Sequence, residues 1–118
     1  MKSTMLCYER CSTCKKAIKW LTENNIEFEN RSIVDENPSV EELREWIHRS
    51  GLPIRRFFNT SGIKYREMGL KDVVASAPEE ELLSLLASDG MLVKRPLLVC
   101  DGGVIPGFRE AEYAKALL

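Results

Sequence analysis

The first 33 residues carry strand, helix and strand patterns in succession, and this order restricts the topology more than any other feature. Residues 3–8 form a short apolar run, and apolar side chains recur at helical spacing from Ser12 until Asn24 and Asn25. The sequence IEFENRSI (26–33) then alternates in the way a strand does. We therefore predict a βαβ unit, in which the two strands are parallel and the crossover is right-handed.

The following segment, residues 38–90, is predicted to be a helical insert. Ser39 and Glu42 have the spacing of a capping box, so a helix is expected to begin there and to end at Gly51. Proline is tolerated in the first turn of a helix because its missing N–H would be unpaired there in any case. Two further helices are accordingly expected to begin at prolines, namely Pro53 and Pro78.

Two strands and a helix complete the predicted pattern. PLLVC (96–100) is apolar, a turn is favoured at DGG (101–103), and the apolar pair Val104-Ile105 follows, which is the arrangement of a β-hairpin. A last helix is expected from Glu110. The order βαβ, helical insert, ββα indicates an α/β protein, and the length is enough for a single domain spanning residues 1–118.

The composition argues against several classes of function. The chain is 44% hydrophobic and 30% charged with a formal net charge of −1, and it contains no block of like charges. We therefore expect no direct contact with nucleic acid or with an anionic membrane surface. The start of the sequence has no apolar stretch of signal-peptide length, and no later segment approaches a membrane span. These observations predict a cytoplasmic protein with no membrane association.

The four cysteines are more informative, because structural disulfides are rare in the cytoplasm. Cys11 and Cys14 form a CxxC pair at the start of the first predicted helix. A thiolate at that position faces unpaired backbone N–H groups and the positive end of the helix dipole, so we predict that Cys11 is a nucleophile at neutral pH. Cys14 lies one turn further in and is expected to be the resolving thiol, which attacks a sulfur adduct on Cys11. The alternative for Cys14 is a buried small apolar residue.

Zinc is the other common ligand of a CxxC pair. A structural zinc site needs four ligands, usually supplied as two such pairs. The remaining candidates are Cys7, His48 and Cys100, and their spacing matches no second pair, so no metal site is predicted. Cys7 and Cys100 fall in predicted strands and are interpreted as core residues, whereas His48 lies on a charged helix face.

Four motifs that follow one another along the chain are typical of one protein family. They are CSTCKKA (11–17), FFNTSGIKYREMGLKD (57–72), SDGMLVKRPLLV (88–99) and GFRE (107–110). With these motifs the sequence resembles the ArsC/Spx group, which contains glutaredoxin-linked arsenate reductases, the Spx transcriptional regulators and uncharacterised relatives. The resemblance covers nearly the whole chain and is strongest to the uncharacterised members. It implies a thioredoxin-like fold with a mixed four-stranded sheet flanked by helices.

The resemblance also implies a set of anion-binding residues. In the family, the arginine at the position of Arg95 stands beside the cysteine loop and binds an oxyanion such as arsenate, which suits the planar donor fork of a guanidinium. It is expected to act in catalysis with the two cysteines. Pro96 is implied to follow a cis peptide bond and to form one wall of the thiol site. Arg109 matches a second anion-binding arginine, and the alternative for either arginine is a solvated surface charge. The implied anion-binding set is Ser12, Thr13, Asn59, Arg95, Pro96 and Arg109.

Two departures from the family pattern bear on function. Arsenate reductases of this group carry a third arginine where this chain has Asn59, and a serine where it has Cys14. The CxxC pair is instead a feature of Spx, which docks on RNA polymerase, but residues 51–57 do not reproduce the segment that Spx uses. We therefore expect a thiol–disulfide oxidoreductase that holds no bound cofactor and receives electrons from thioredoxin, or from glutaredoxin with glutathione.

Two alternatives remain open from the sequence. The first is a glutaredoxin-linked arsenate reductase in the strict sense, with an oxyanion as its substrate. The second is a non-enzymatic redox switch of the Spx type, whose partner would be RNA polymerase. The enzyme requires repeated turnover with a reductant, whereas the switch requires only a stoichiometric change of state.

Overall fold

The computed structural model describes residues 3–118, which form two compact units. We call residues 3–32 and 95–118 the sheet unit, and residues 33–94 the helical unit. Within residues 3–118, every helix is too short or too polar to cross a bilayer. In chain order the elements are β1 (Ser3–Cys7), α1 (Ser12–Glu23), β2 (Phe28–Ser32), α2 (Val40–Ser50), α3 (Ile63–Glu67), α4 (Leu70–Ser76), α5 (Glu79–Ser88), β3 (Leu97–Cys100), β4 (Gly103–Pro106) and α6 (Glu110–Leu117), with short 3₁₀ helices at Ile54–Phe57 and Gly90–Leu92.

The sheet unit contains a mixed four-stranded sheet. The strand order is β2-β1-β3-β4, in which β1 is parallel to β2 and antiparallel to β3, and β3 is antiparallel to β4. Helix α1 connects the two parallel strands, so the predicted βαβ unit is confirmed, as is the α/β class with a mixed sheet. In the β3–β4 turn, a Cβ at Gly102 would lie 2.2 Å from the carbonyl oxygen of Ala116 in α6. This close approach of the backbone requires glycine.

One face of this sheet packs against α1 and α6. Because alternate residues of a strand point to the same face, Met5 and Cys7 of β1 share a face with Leu98 and Cys100 of β3. The buried cluster on this face consists of Met5, Cys7, Cys14, Ala17, Leu21, Leu98, Cys100 and Tyr113. Full burial of a large apolar side chain stabilises the fold by roughly 1.5–3 kcal/mol. Three of the four thiols therefore belong to the core of the sheet unit.

The helical unit begins with a capped helix. The Ser39 Oγ accepts a hydrogen bond from the Glu42 N–H at 3.1 Å, and the Glu42 carboxylate accepts one from the Ser39 N–H at 3.0 Å. Gly51 adopts the left-handed conformation (φ 68°) directly after α2. The predicted capping box and helix end are both confirmed. Helix α2 packs against α5, and the buried side chains of the two helices are Leu43, Trp46, Ile47, Leu82, Leu83 and Leu86.

Some boundaries differ from the predictions. Helices α3 and α4 were not predicted, because they contain five and seven residues and are too short for an apolar periodicity to repeat. Gly69, in the left-handed conformation (φ 61°), separates them. The predicted helix after Pro53 is a 3₁₀ helix of four residues. Strand β2 is shorter than the predicted 26–33, and Ile33 belongs to the helical unit.

Candidate thiol site

Cys11 is the N-cap residue of α1. Its backbone is extended (φ −89°, ψ 119°), and its Sγ accepts a hydrogen bond from the Cys14 backbone N–H at 3.4 Å. The sulfur thus takes up one of the N–H groups that a helix start leaves unpaired. The first turn of α1 contains no acidic residue, so no carboxylate in that turn opposes a negative charge on the sulfur. The Cys11 side chain is partly exposed, whereas Cys14 is only 1% exposed.

Cys14 is buried beside Cys7, and their two thiols are hydrogen bonded to each other. This hydrogen bond, together with burial, raises the pKa of the Cys14 thiol. The same bond lowers the pKa of Cys7 and outweighs both burial and the charge of Cys11, which act in the opposite direction. The opposed shifts describe a pair in which Cys14 is the proton donor and Cys7 is the acceptor. None of the four cysteines, all of which lie within residues 3–118, is in a disulfide.

Arg95 is held beside the loop that leads to Cys11. Strand β3 pairs with β1 so that Leu97 lies opposite Leu6, and Arg95 and Tyr8 each lie two residues beyond this pair. The Arg95 guanidinium carbon lies 4.9 Å from the centroid of the Tyr8 ring, which is a cation–π contact. The Tyr8 carbonyl oxygen in turn accepts a hydrogen bond from the Cys11 N–H at 3.0 Å. The structure therefore brings Arg95 and the cysteine loop together.

Pro96 anchors a second loop to this region. The Arg95–Pro96 peptide bond is cis, which is the isomer expected from the family resemblance. The Pro96 carbonyl oxygen accepts a hydrogen bond from the Gly107 N–H at 2.8 Å, and the Gly107 carbonyl oxygen accepts one from the Tyr113 hydroxyl at 3.0 Å. Burial raises the pKa of Tyr113, so its hydroxyl remains a hydrogen-bond donor at neutral pH. These two bonds connect the segment after β4, and helix α6, to Pro96.

The other predicted anion-binding residues of the sheet unit lie at helix starts. Ser12 and Thr13 are exposed in the first turn of α1. Arg109 is the exposed N-cap residue of α6, two residues after Gly107. Every predicted site residue except Asn59 therefore belongs to the sheet unit.

Asn59 belongs to the helical unit, where its amide has local partners. The side chain is 8% exposed, its Nδ2 donates to the Met91 carbonyl oxygen at 3.5 Å, and its Oδ1 accepts from the Ser61 hydroxyl at 3.4 Å. Its backbone N–H donates to the Leu92 carbonyl oxygen at 2.8 Å. Asn59 thus connects the segment after the first 3₁₀ helix to the second 3₁₀ helix of the same unit.

Sequence reasoning left two residues out of the site, Cys7 and Tyr8. Cys7 is a core residue as predicted, with 6% exposure, but its thiol is also the partner of Cys14. This contact could have been anticipated, because Cys7 lies at the end of a predicted strand, four residues before Cys11. Tyr8 gave no signal, because an aromatic residue beside a strand more often serves in packing.

The fold and the site together define a class of protein. A mixed four-stranded sheet, a CxxC pair at the start of the helix after β1, and a cis-proline before β3 characterise a thioredoxin-like protein. A family model described as the ArsC family matches residues 6–116. The chain therefore belongs to the ArsC family.

Individual relatives include both solved structures and curated proteins. The structure of a Bacteroides fragilis protein described as ArsC family related is 54% identical, with a TM-score of 0.95 over 98% of each chain. The uncharacterized protein YusI of Bacillus subtilis is 47% identical over 96% of each chain. The global transcriptional regulator Spx of Staphylococcus epidermidis is 24% identical over 97% of this chain and 86% of its own length.

Proposed function

We propose that the protein is a thiol–disulfide oxidoreductase of the ArsC family, with Cys11 as the nucleophile and Cys14 as the resolving thiol. The observation that carries this proposal is the position of Cys11 as the N-cap of α1, where its Sγ accepts the Cys14 N–H and remains partly exposed. A helix start stabilises a thiolate, and exposure allows a substrate sulfur to reach it. Cys14 is buried within one turn of that sulfur, where it is shielded from competing oxidants.

The reaction transfers two electrons from the two thiols to the substrate. The Cys11 thiolate attacks one sulfur of a substrate disulfide, which forms a mixed disulfide and releases the first substrate thiolate. The Cys14 sulfur then attacks the Cys11 Sγ, which forms the Cys11–Cys14 disulfide and releases the second substrate thiolate. A dithiol protein such as thioredoxin, or glutaredoxin with glutathione, reduces this disulfide and restores the starting state.

The second step requires Cys14 to lose its proton, and Cys7 is the group placed to receive it. The Cys14 thiol is hydrogen bonded to Cys7, and the pKa of Cys7 is lowered by that bond. Transfer of the proton along this hydrogen bond converts Cys14 into a thiolate as it attacks. Burial also raises the pKa of Cys14, so a partner held in hydrogen-bond contact gives its proton a direct path as the sulfur attacks.

Arg95 supplies a fixed positive charge beside the cysteine loop. Its contact with the Tyr8 ring holds the guanidinium next to the residues that precede Cys11. There it stabilises negative charge on a leaving thiolate, or on an oxyanion bound at the same place. A neutral residue at this position should therefore slow the attack on any substrate that develops negative charge.

The test is a turnover assay with a panel of substrates. Arsenate, a small disulfide and a glutathionylated peptide are each offered to the protein, with either thioredoxin or glutaredoxin and glutathione as the electron source, and NADPH oxidation is followed. We expect turnover of at least one of the two sulfur substrates, dependent on Cys11. In the Cys14→Ser variant we expect a mixed disulfide between Cys11 and the substrate to accumulate, which mass spectrometry of the intact protein detects.

A matched variant tests whether turnover depends on Cys11 and Cys14 in particular, and not on any buried thiol. Cys100→Ser also replaces a buried thiol of the sheet unit, but that thiol donates to the Gly103 carbonyl oxygen at 3.3 Å and serves no step of the reaction. We expect Cys100→Ser to retain turnover. Turnover that survives in Cys11→Ser, or a bridge that forms between Cys11 and Cys100 instead, contradicts the proposal.

Two other functions are distinguished by the same panel. A strict arsenate reductase would turn over arsenate faster than either sulfur substrate, which the oxyanion-binding chemistry of Arg95 supports. A stoichiometric redox switch would form the Cys11–Cys14 bridge without repeated turnover, and would bind RNA polymerase in only one redox state. The relationship to Spx supports this second candidate.

A further inference from the structure

The helical unit carries a hollow of about 430 Å³, and none of the residues that line it belongs to the thiol site. Four cationic side chains line the hollow, Arg55, Arg56, Lys71 and Lys94, and none of its described lining residues is acidic. The unit as a whole is not basic, since residues 33–94 contain eight Lys and Arg against eleven Asp and Glu. Half of the cationic residues of an acidic unit are therefore collected around one hollow.

These four charges are not neutralised by neighbouring groups. Among residues 3–118, none of the four side chains takes part in an ion pair or a side-chain hydrogen bond. Other cations of the same unit are paired, as Arg44 is with Glu80 at 2.7 Å and Lys64 is with Asp89 at 2.5 Å. Like charges around a common hollow repel one another, so an anion that enters it removes an unfavourable interaction.

The fold fixes the positions of these side chains. The two arginines belong to the first 3₁₀ helix, and Lys71 belongs to α4. Lys94 is far away in sequence, but its backbone N–H donates to the Phe57 carbonyl oxygen at 2.7 Å. An isolated β-bridge between Phe58 and Val93 adds a second connection beside it. The backbone therefore holds Lys94 next to the arginines.

The hollow also has an aromatic and apolar wall. Phe58 and Tyr65 line it with their rings in an edge-to-face arrangement, with centroids 6.2 Å apart and an angle of 61° between the planes. Both side chains are largely buried, at 1% and 9% exposure, so they support the hollow and present little of their own surface to a ligand. Val74 of α4 adds aliphatic surface. A ligand can thus contact charge on one side and an apolar surface on the other.

We propose that this hollow binds a small organic phosphate that carries at least two negative charges and an apolar or aromatic group. A phosphate concentrates up to two charges and three acceptor oxygens in a small volume, whereas carboxylates would have to be spread over several carbon atoms. Guanidinium groups bind phosphate oxygens in pairs, and ammonium groups bind them as point charges. The volume lies in the range typical of small-molecule sites.

A long polyanion is the less suitable ligand. A nucleic acid would extend beyond the hollow over a surface on which acidic residues outnumber basic ones, and that surface would repel it. A small phosphate ester meets only the local positive charge. The aliphatic surface of Val74 and Ala75, which are half-buried and exposed, then contributes binding through contact with its organic part.

Binding is measured by titration calorimetry and by NMR shift mapping with defined probes. The probes are inorganic phosphate, pyrophosphate, adenosine 5′-diphosphate and citrate, with a single-stranded oligonucleotide and a Glu-rich peptide as polymeric comparisons. We expect adenosine 5′-diphosphate to bind more tightly than inorganic phosphate or citrate, with shifts centred on the residues of the hollow. We expect affinity to fall as salt increases, because the contacts are ionic.

Two kinds of variant separate this site from general charge attraction. Arg56→Gln and Lys71→Gln each remove one cation of the hollow and should weaken binding about tenfold or more. Arg44→Gln makes the same change in net charge elsewhere on the unit and should leave the affinity unchanged. Ala75→Trp fills the hollow from an exposed lining position without changing charge, and it should also weaken binding about tenfold.

The outcomes are decisive in either direction. The proposal is overturned if no phosphate probe binds at about 1 mM, or if Arg44→Gln weakens binding as much as Arg56→Gln does. It is also overturned if the oligonucleotide or the Glu-rich peptide binds more tightly than every small phosphate. Circular dichroism of each variant confirms that the helices are intact, so a loss of binding is not mistaken for unfolding.

Discussion

The sheet unit and the helical unit hold their reactive and charged groups in opposite ways. In the sheet unit, Cys7 and Cys14 are 6% and 1% exposed, and their thiols are hydrogen bonded to each other within the core. In the helical unit, three of the four cations around the hollow are exposed, namely Arg55, Arg56 and Lys71. The Cys7 and Cys14 thiols are thus shielded from water, although Cys11 is partly exposed, whereas most of the cations around the hollow are in contact with water.

This difference follows from the range of the forces involved. Control of a thiol depends on a hydrogen bond and on burial, both of which act over a few ångströms. Attraction of an anion depends on Coulomb forces, which act over a Debye length of about 10 Å at an ionic strength of 0.1 M. Replacement of one sulfur atom in the sheet unit should therefore reduce the rate of turnover by a larger factor than loss of one charge in the helical unit reduces the affinity for an anion.

The largest effect is expected for Cys11→Ser. A hydroxyl at the N-cap of α1 still accepts the Cys14 N–H but does not ionise at neutral pH, so disulfide turnover should fall by at least about a thousandfold. The coupled NADPH assay measures it, with Arg56→Gln in the helical unit as the comparison. Retained turnover in Cys11→Ser, together with lost turnover in Arg56→Gln, would reverse the contrast between the two units.

The second-largest effect is expected for Cys7→Ser, which tests what the buried pair of Cys7 and Cys14 contributes to bridge formation. Serine keeps the hydrogen-bonding capacity and nearly the volume of cysteine, but its hydroxyl does not hold the Cys14 proton as a thiolate does. Formation of the Cys11–Cys14 bridge should slow at least about tenfold at pH 7. The hydrogen bond to Cys7 that contributes most to the raised pKa of Cys14 is lost in this variant, but burial still raises that pKa, so the thiolate fraction and the rate should grow as the pH becomes alkaline.

Rapid-quench alkylation followed by mass spectrometry measures this bridge formation across the pH range. Cys100→Ser is the matched control, since it also exchanges sulfur for oxygen in the same core. If bridge formation in Cys7→Ser depends on pH as it does in the native protein, Cys7 serves only in packing. Unequal stability is excluded as a cause by urea unfolding of both variants.

A moderate effect on stability is expected for Asn59→Ala, which tests whether a buried polar group also stabilises the helical unit. Its amide joins residues 59–61 to the 3₁₀ helix at 90–92 through contacts with Met91 and Ser61. Loss of the amide leaves the Met91 carbonyl oxygen without this donor and should lower the free energy of unfolding by about 1–2 kcal/mol. Urea unfolding measures the change, and Ser61→Ala, which removes only one of the contacts, should cost less. Equal stability of Asn59→Ala and the native protein would show that the amide is dispensable.

The smallest effect is expected for Asp89→Asn. The hydrogen bond from Lys64 lowers the pKa of Asp89, so the folded-state pKa lies below the unfolded-state value of about 3.9. The stabilisation is therefore fully present above that unfolded value and is lost as the pH falls through the folded-state pKa. Asparagine keeps the Oδ1 that accepts the Met91 N–H at 2.9 Å but does not titrate.

Thermal unfolding at several pH values tests this expectation. The Asp89→Asn variant should unfold at a slightly lower temperature at pH 7 and at the same temperature as the native protein near pH 2. High salt should reduce the difference at pH 7, because Lys64 is exposed and the pair is screened. A difference that persists unchanged in acid would assign the effect to hydrogen bonding by Asp89 rather than to its charge.

The degree to which each element could be predicted depended on how local its signal was. The α2 capping box of Ser39 and Glu42 was predicted because its partners lie three residues apart and need no tertiary contact. The N-cap position of Cys11 followed in the same way from the strand and helix patterns around it. Helices α3 and α4 were missed because each is too short to repeat an apolar period, and tertiary packing rather than periodicity stabilises them.

Local patterns along the chain were enough to predict the βαβ start, the hairpin, the CxxC pair at a helix start and membership of a family with these motifs. Three contacts became visible only in the folded chain: Cys7 is the hydrogen-bond partner of Cys14 as well as a core residue, Arg95 lies over the Tyr8 ring, and Lys94 joins the arginines of the hollow. The physical reason is the distance along the chain. Local backbone rules act over a few residues, whereas the partners of Arg95 and Lys94 are brought near by strand register and backbone hydrogen bonds that span dozens of residues.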